Sequence, residues 1–424
     1  MKTLDVILIG AGDRGIKYVN FMSEMKDEYR VVAVAEPIEN RRDLVGKMHN
    51  IPEDMRFDDW RPLLEKGKIA DVALICTMDR DHFEPAMRAI ELGYDIMLEK
   101  PIAPTLDECR EITLAASKKG VKVLVCTVLR YTNVFHHLKN IVDSGRLGRI
   151  MSVNHEENVG LIHQSHSFVR GNWGNSEESS NMLLQKSCHD IDILQWLLGK
   201  KCRSVQSFGT LSYFTRENAP EDSPEFCNMG CPHGDTCEFN AVKLYYDDKD
   251  NHWFRNACTK YYYPSDEMVW QSISETNYGR CVFKCNNDVV DHQTVNMLFE
   301  DDITVTFTMN AFNEGGRYIH IMGTKGELRA HLEDGSPLKI HYFADGRNEE
   351  IDVTVNGVLP GGHGGGDAGI VRALHEYLTA DQRAVNIPDI TQSYYNHAIV
   401  FAAEKSRAEN TVVDFEEYFA EVDK

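Results

Sequence analysis

The 424-residue chain has no run of about 18 apolar residues, so no membrane span is expected. It is short of positive charge. Lys and Arg number 45 against 66 Asp and Glu, a formal net charge of −21. That balance argues against nucleic acid or an anionic membrane surface as the main partner. A disulfide framework is also missing: the 11 cysteines are odd in number and scattered, and read as reduced thiols or a metal site. There is no internal repeat and no long low-complexity tract. The opening MKTLDVILIGAG carries Asp5 and runs straight into glycines, with no small-residue cleavage site, so it does not read as a secretory leader. Hydrophobic residues at 42% and charged residues at 26% fit a globular, cytoplasmic protein of two or three domains.

Leu4–Ile9, Val31–Ala35, Val72–Cys76, Ile96–Leu98 and Val121–Val125 are apolar runs of the kind that form buried parallel strands. Helical stretches lie between them. Ile16–Met25 has apolar residues at helical spacing, and Phe83–Leu92 stops at Gly93. The capping box Thr105-Leu-Asp-Glu108 opens a further helix that closes at Gly120. This alternation predicts βαβ units and a doubly wound parallel sheet over residues 1–130. Residues 131–424 turn to strand-like alternation, as in Ile303–Met309, with a turn at Thr324–Gly326 and a helix at Ala368–Leu378. A second, α+β domain with an antiparallel or mixed sheet is expected there. An irregular, aromatic, Cys-rich insertion interrupts it around 210–290.

Gly10, Gly12 and Gly15 form G-x-G-x-x-G directly after a buried strand and at the start of a helix. That context lets the backbone approach a pyrophosphate at a helix N-terminus. Glu36, ending the second strand, suits the ribose hydroxyls of NAD, while Arg41 and Arg42 nearby offer the alternative of a 2′-phosphate and NADP. Glu99-Lys100-Pro101 ends the fourth strand, where ligands of open α/β sheets sit. Between Leu161 and Trp173 hydrogen-bonding groups mix with an indole, as sugar sites require, and His166, Arg170 and Trp173 are expected to contact substrate. His363, within Gly361–Gly366, is a further substrate candidate; Asn287-Asp288 and Asp291-His292 form a weaker constellation. Cys227, Cys231 and Cys237 read either as a structural zinc site or as three ordinary thiols. A fourth ligand would come from His233, Cys258, Cys281 or Cys285.

Taken together, Ile9-Gly-Ala-Gly-Asp-Arg-Gly15, Ala35-Glu-Pro37, Glu99-Lys-Pro-Ile-Ala-Pro-Thr105 and Ser187-Cys-His-Asp-Ile-Asp192, with Trp196 and Gly199 after it, resemble the glucose-fructose oxidoreductase / inositol dehydrogenase (Gfo/Idh/MocA) family. The resemblance implies a Rossmann domain followed by an open, mainly antiparallel sheet that floors the substrate site and mediates a homo-oligomer, dimer or tetramer. It implies Lys100 as the active-site lysine and His189 as the proton-transfer residue. Cofactor contacts would come from Gly10, Gly12, Asp13, Arg14, Gly15, Glu36, Arg41, Thr77, Asp79, His82, Glu99 and Lys100. Gln185 and Lys186 join the expected substrate contacts. One departure matters: many family dehydrogenases carry Asp four residues before the histidine, and here that position is Gln185. A carboxylate partner for His189 must come from elsewhere, and Asp190 and Asp192 are too close in sequence to assume that role.

The activity implied is NAD(P)-dependent hydride transfer at a secondary hydroxyl of a sugar, glycoside or cyclitol. Histidine titrates near neutrality and can take the hydroxyl proton, and a lysine cation can stabilise the alkoxide. Two other readings stand beside it: glycoside cleavage through transient oxidation by tightly held NAD, and a non-catalytic NAD-binding sensor. The sensor reading predicts degenerate Lys and His positions, and both residues are present.

Overall fold

The computed structural model describes residues 2–332, 335–354, 362–379 and 387–423. Strands β1 (Leu4–Ile9), β2 (Tyr29–Ala35), β3 (Arg56–Phe57), β4 (Val72–Ile75), β5 (Asp95–Leu98) and β6 (Val123–Val125) form a parallel sheet in the order β3-β2-β1-β4-β5-β6. The side-chain period of two divides β1 between two cores. Val6 and Leu8 pack with Ile16, Val19 and Met22 of helix Asp13–Glu24. Ile7 and Ile9 pack on the other face with Ala86, Ile90 and Ile112. Helices therefore cover both faces, which is why these strands are apolar throughout. The chain order reverses between β1 and β4, and ligands of such sheets bind at that crevice. The expected helix stops are present: Gly93 and Gly120 both adopt the left-handed conformation. Two-residue β3 was not foreseen, because it is too short to carry any periodicity.

The second sheet has nine strands. They are β7 (Ile150–Asn158), β8 (Cys202–Thr210), β9 (His292–Phe299), β10 (Thr304–Asn310), β11 (Gly316–Gly323), β12 (Gly326–His331), β13 (Leu338–Tyr342), β14 (Asn348–Ile351) and β15 (Val413–Asp414). Their order is β14-β13-β12-β11-β7-β10-β9-β8-β15. β7 and β10 run parallel; the other pairs are antiparallel. Inward residues such as Val295, Met297, Phe307 and Ile319 pack with residues of helices Asn133–Asp143 and Cys188–Leu198. On the outward face Phe208 and Tyr318 are exposed.

The chain then returns to the first sheet. Helix Gly366–Thr379 adds Ile370, Val371 and Leu374 to the core beneath Val6 and Leu8. Helix Ile390–Glu409 spans both units, with Tyr394 in one core and Ile399 in the other. The insertion is more ordered than its composition suggests: it contains helices His252–Thr259 and Asp266–Glu275. No helix among the described residues is long and apolar enough to cross a membrane.

Candidate active site

The three glycines have different physical reasons. Gly10 has φ +90°, and a Cβ there would lie 2.5 Å from the Cys76 carbonyl oxygen. A Cβ on Gly15 would lie 2.2 Å from the Gly10 oxygen, so helix and strand could not pack. Gly12 is different: the nearest atom to its added Cβ is Arg41 Nη1 at 3.7 Å. The fold leaves that side open, as a cradle for a pyrophosphate must be. Helix Asp13–Glu24 starts there without a side-chain cap, so its first N–H groups are available to a phosphate. Glu36 is buried and ties β2 to this loop, accepting from the N–H groups of Ala11 (2.7 Å) and Ile38 (3.0 Å). Arg41 Nε is buried without a partner among the described residues, whereas Arg42 braces the Glu36 carbonyl at 2.6 Å. These residues fit a dinucleotide.

This division gives a paired expectation. Gly12→Ala should keep the melting temperature within a few degrees yet weaken NAD binding by about 10-fold or more, because its methyl group occupies ligand space. Gly15→Ala should instead lower stability by several kcal/mol, since overpacking against backbone cannot relax. Thermal melts and NAD titrations of both proteins read the two outcomes separately.

Arg14 and Glu99 are engaged with each other. Arg14 Nε donates to Glu99 at 2.8 Å, and its other nitrogens reach Asp367 at 2.7 and 3.1 Å. Tyr18 donates to the same Glu99 oxygen at 2.7 Å. Burial pushes the Glu99 carboxyl up, but Arg14 and Lys100 outweigh it and hold the group below the ordinary range. The other Glu99 oxygen accepts the Lys100 backbone N–H at 2.8 Å. A buried ionic cluster thus fixes where Lys100 leaves its strand. His82 Nδ1 lies 2.7 Å from the Pro101 carbonyl and its Nε2 lies 3.3 Å from that of Thr77, stapling two loops together. His397 supports the same segment, accepting from the Ile102 N–H at 3.1 Å. Thr77 bonds its own loop at Asp81, and Asp13 pairs with Lys17 on the surface.

His189 is the second residue of the buried helix Cys188–Leu198. Its Nδ1 is buried and has no hydrogen-bond partner among the described residues. Lys100 Nζ donates to the carbonyl of Gln185, one helical turn before His189. Burial first, then the charges of Lys100, His363, Arg317 and Lys186, push the His189 pKa well below the ordinary histidine value. The ring of His363 lies 6.0 Å from that of His189, and His363 Nδ1 sits 3.1 Å from Asp367. Lys186 pairs with Glu157 at 3.1 Å. Arg317 contacts Glu157 and lies 2.8 Å from Asp190, which His155 also approaches at 2.8 Å. Asp192 is held by Arg130 at 2.6 Å. Neither aspartate supplies the missing carboxylate, and the surroundings of His189 are cationic.

The substrate candidates divide. Lys186 and His363 lie with the catalytic candidate Lys100 around His189. Gln185 spends its amide on the Trp173 carbonyl (2.7 Å) and the Ser179 hydroxyl (2.9 Å), while Asp79 accepts from Ser179, Ser180 and the Trp173 indole. His166 is buried against the insertion: its Nδ1 is 2.9 Å from the Tyr245 hydroxyl and its ring stacks on Phe254 at 3.9 Å. Arg170 donates to the carbonyls of Arg280 (2.9 Å) and Phe239 (2.7 Å). Gly361, first of the glycine cluster, lies outside the described residues. Arg317 and Asp367 were not foreseen. Arg317 had a readable signal: it shares the inward alternation of Ile319 and Ile321, a charge at a core-facing position.

Of the two readings of Cys227, Cys231 and Cys237, the structural zinc site is not supported. Among the described residues no group of three or more His, Cys, Asp or Glu could hold a metal ion. The reason is the Arg170 guanidinium, which lies 3.6 Å from Cys227 Sγ in electrostatic reach of Cys281 and Cys285. A buried cation stands among the thiols where a second cation would have to sit.

Residues 4–127 match the model of an oxidoreductase family, NAD-binding Rossmann fold, and residues 139–415 match that family's C-terminal alpha/beta domain. The Bacillus subtilis protein YteT is 25% identical over 318 residues, 70% of each chain. Inositol 2-dehydrogenase of Salmonella typhimurium is 24% identical over 218 residues, 51% of this chain and 60% of the relative, so less than two thirds of that enzyme is spanned. Among solved structures, an oxidoreductase of Agrobacterium radiobacter in complex with NAD+, L-tartaric acid and magnesium has a TM-score of 0.70 at 15% identity, covering 98% of this chain and 99% of that one. At that identity the likeness shows the shared fold.

Proposed function

The chain belongs to the Gfo/Idh/MocA oxidoreductase family, and on that premise we propose that it transfers a hydride between a secondary hydroxyl of a sugar, glycoside or cyclitol and a nicotinamide dinucleotide. The observation that carries this reading is the buried Nδ1 of His189, unpartnered among the described residues, beside the ammonium of Lys100. Similarity to an inositol 2-dehydrogenase supports a polyol ring as the substrate class. Gly12, Glu36, Arg41 and the start of helix Asp13–Glu24 would hold the dinucleotide, and the acidic Glu36 favours NAD over NADP. When bound, a nicotinamide supplies the hydride acceptor.

The protein's own groups do the proton and charge work. A neutral imidazole accepts the hydroxyl proton at Nδ1. Lys100, fixed by the Gln185 carbonyl and by the Glu99 cluster behind it, orients the hydroxyl and stabilises the developing oxyanion. The cationic surroundings that keep His189 unprotonated favour the alkoxide for the same electrostatic reason.

The test is absorbance of reduced nicotinamide with a panel of sugars, glycosides and cyclitols. Net reduction of NAD+ by at least one ring polyol is expected. Release of a leaving group with no net reduction would overturn the proposal.

A further inference from the structure

Residues 211–291 leave the second sheet between β8 and β9 as an insertion. Its own core gathers Tyr245, Phe254, Cys258, Val269 and Ile273. The turn between helices His252–Thr259 and Asp266–Glu275 carries two left-handed non-glycine residues, Lys260 (φ 60°) and Tyr263 (φ 57°). Such residues cost free energy and persist only where neighbouring structure fixes them. Tyr262, between them, reaches the nucleotide domain. Its N–H donates to Asn40 Oδ1 at 2.9 Å, and its side chain packs against the core of the first sheet. Asn40 and Arg41 lie in the first turn of the helix after Glu36.

Two orphaned polar atoms meet at this junction. Tyr262 Oη and Arg41 Nε are both buried without a partner among the described residues, and the Arg41 guanidinium carbon lies 5.9 Å from the tyrosine ring centroid. Arg41 Nη1 is also the nearest atom to the open side of Gly12. After burial, the groups that act most on the Tyr262 hydroxyl are Asp13, Arg41 and Glu36, followed by its neighbour Tyr263. So the hydroxyl lies beside the loop, strand end and helix start that would hold a dinucleotide. A buried donor or acceptor left unpaired costs about 1–3 kcal/mol, and a ligand that satisfies it recovers that cost.

We propose that Tyr262, with Arg41, straps the adenosine half of the bound dinucleotide, so that the insertion sets how long the cofactor is retained. The proposal rests on the oxidoreductase reading above. A cofactor gripped by residues of both the Rossmann domain and the insertion leaves only when the 260–263 turn lifts. Retention then depends on a residue outside the glycine loop.

The experiment titrates NAD+ and, separately, nicotinamide mononucleotide into the full-length protein by calorimetry, and follows NADH release by stopped-flow fluorescence. Tyr262→Ala should weaken NAD+ binding by about 10-fold or more and speed NADH release in proportion. Its affinity for the mononucleotide, which lacks adenosine, should equal that of the wild type. Tyr262→Phe keeps the ring and the packing, so it decides the matter even where the alanine variant folds poorly. Loss of its hydroxyl should cost about 3- to 10-fold in NAD+ affinity. Wild-type NAD+ affinity and release rate in Tyr262→Phe would overturn the strap alone. A wild-type protein that binds no dinucleotide would overturn the strap together with the reading beneath it.

Discussion

Replacing Lys100 with methionine is expected to lower kcat/KM by about 10^3-fold while leaving NAD binding within a few-fold of wild type. Methionine keeps the length of the side chain and removes the charge, so the variant isolates the electrostatic role. Lys100 is held from both ends: its backbone N–H by Glu99, its Nζ by the Gln185 carbonyl. Glu99 in turn is fixed by Arg14 and Tyr18, so the ammonium is placed before any substrate arrives. A fixed charge aimed where negative charge develops needs no reorganisation during the reaction, which is why losing it costs rate more than affinity. Steady-state kinetics with the best substrate and a parallel NAD titration separate the two quantities. Activity within 10-fold of wild type would remove Lys100 from the chemistry. A matching loss of NAD affinity would make it a cofactor ligand.

The nucleotide half of the molecule was legible in sequence because its information is local. Strand, glycine turn and helix follow one another over residues 4–24, so the spacing of the three glycines reads directly from the sequence, although only Gly15 meets its constraint inside that unit, at the Gly10 oxygen. The convergence of Lys100 with His189 could be suspected only through the family resemblance, since 89 positions separate them (189 − 100). The Leu161–Trp173 stretch shows where local reading stops. It is polar enough to be a substrate loop, yet His166 and Arg170 are buried by partners 69 to 110 positions away, namely Phe239, Tyr245 and Arg280. No spacing rule within the stretch reveals those partners. The cysteines fail for a related reason: their spacing resembles a metal knuckle, but the cation among them is Arg170 from another segment. Asp367 was hidden in the same way, because its function is to hold Arg14 from a helix 353 positions later.

His189→Gln is the second large effect, a fall of about 10^2- to 10^4-fold in kcat, the range over which a positioned general base contributes. Its pH dependence carries the sharper content. A base must be unprotonated to act, so activity falls as pH drops through its pKa. An ordinary histidine would place that fall near pH 6.5, but burial and the neighbouring charges of Lys100, His363, Arg317 and Lys186 push His189 well below it. The acid limb of kcat/KM is therefore expected well below the ordinary histidine range. Removing one neighbouring charge should move it back: in Lys186→Met the limb shifts toward higher pH, because a protonated imidazole is then less strongly opposed. Stability has the same sign. The native state resists protonation of His189 while the unfolded chain accepts it, so the contribution is complete above the unfolded pKa and is lost progressively as pH falls below it. A limb at or above pH 6.5 that ignores Lys186→Met would show that the titrating base is another group. A limb that moves upward in that variant would tie the base to the cationic cluster around His189.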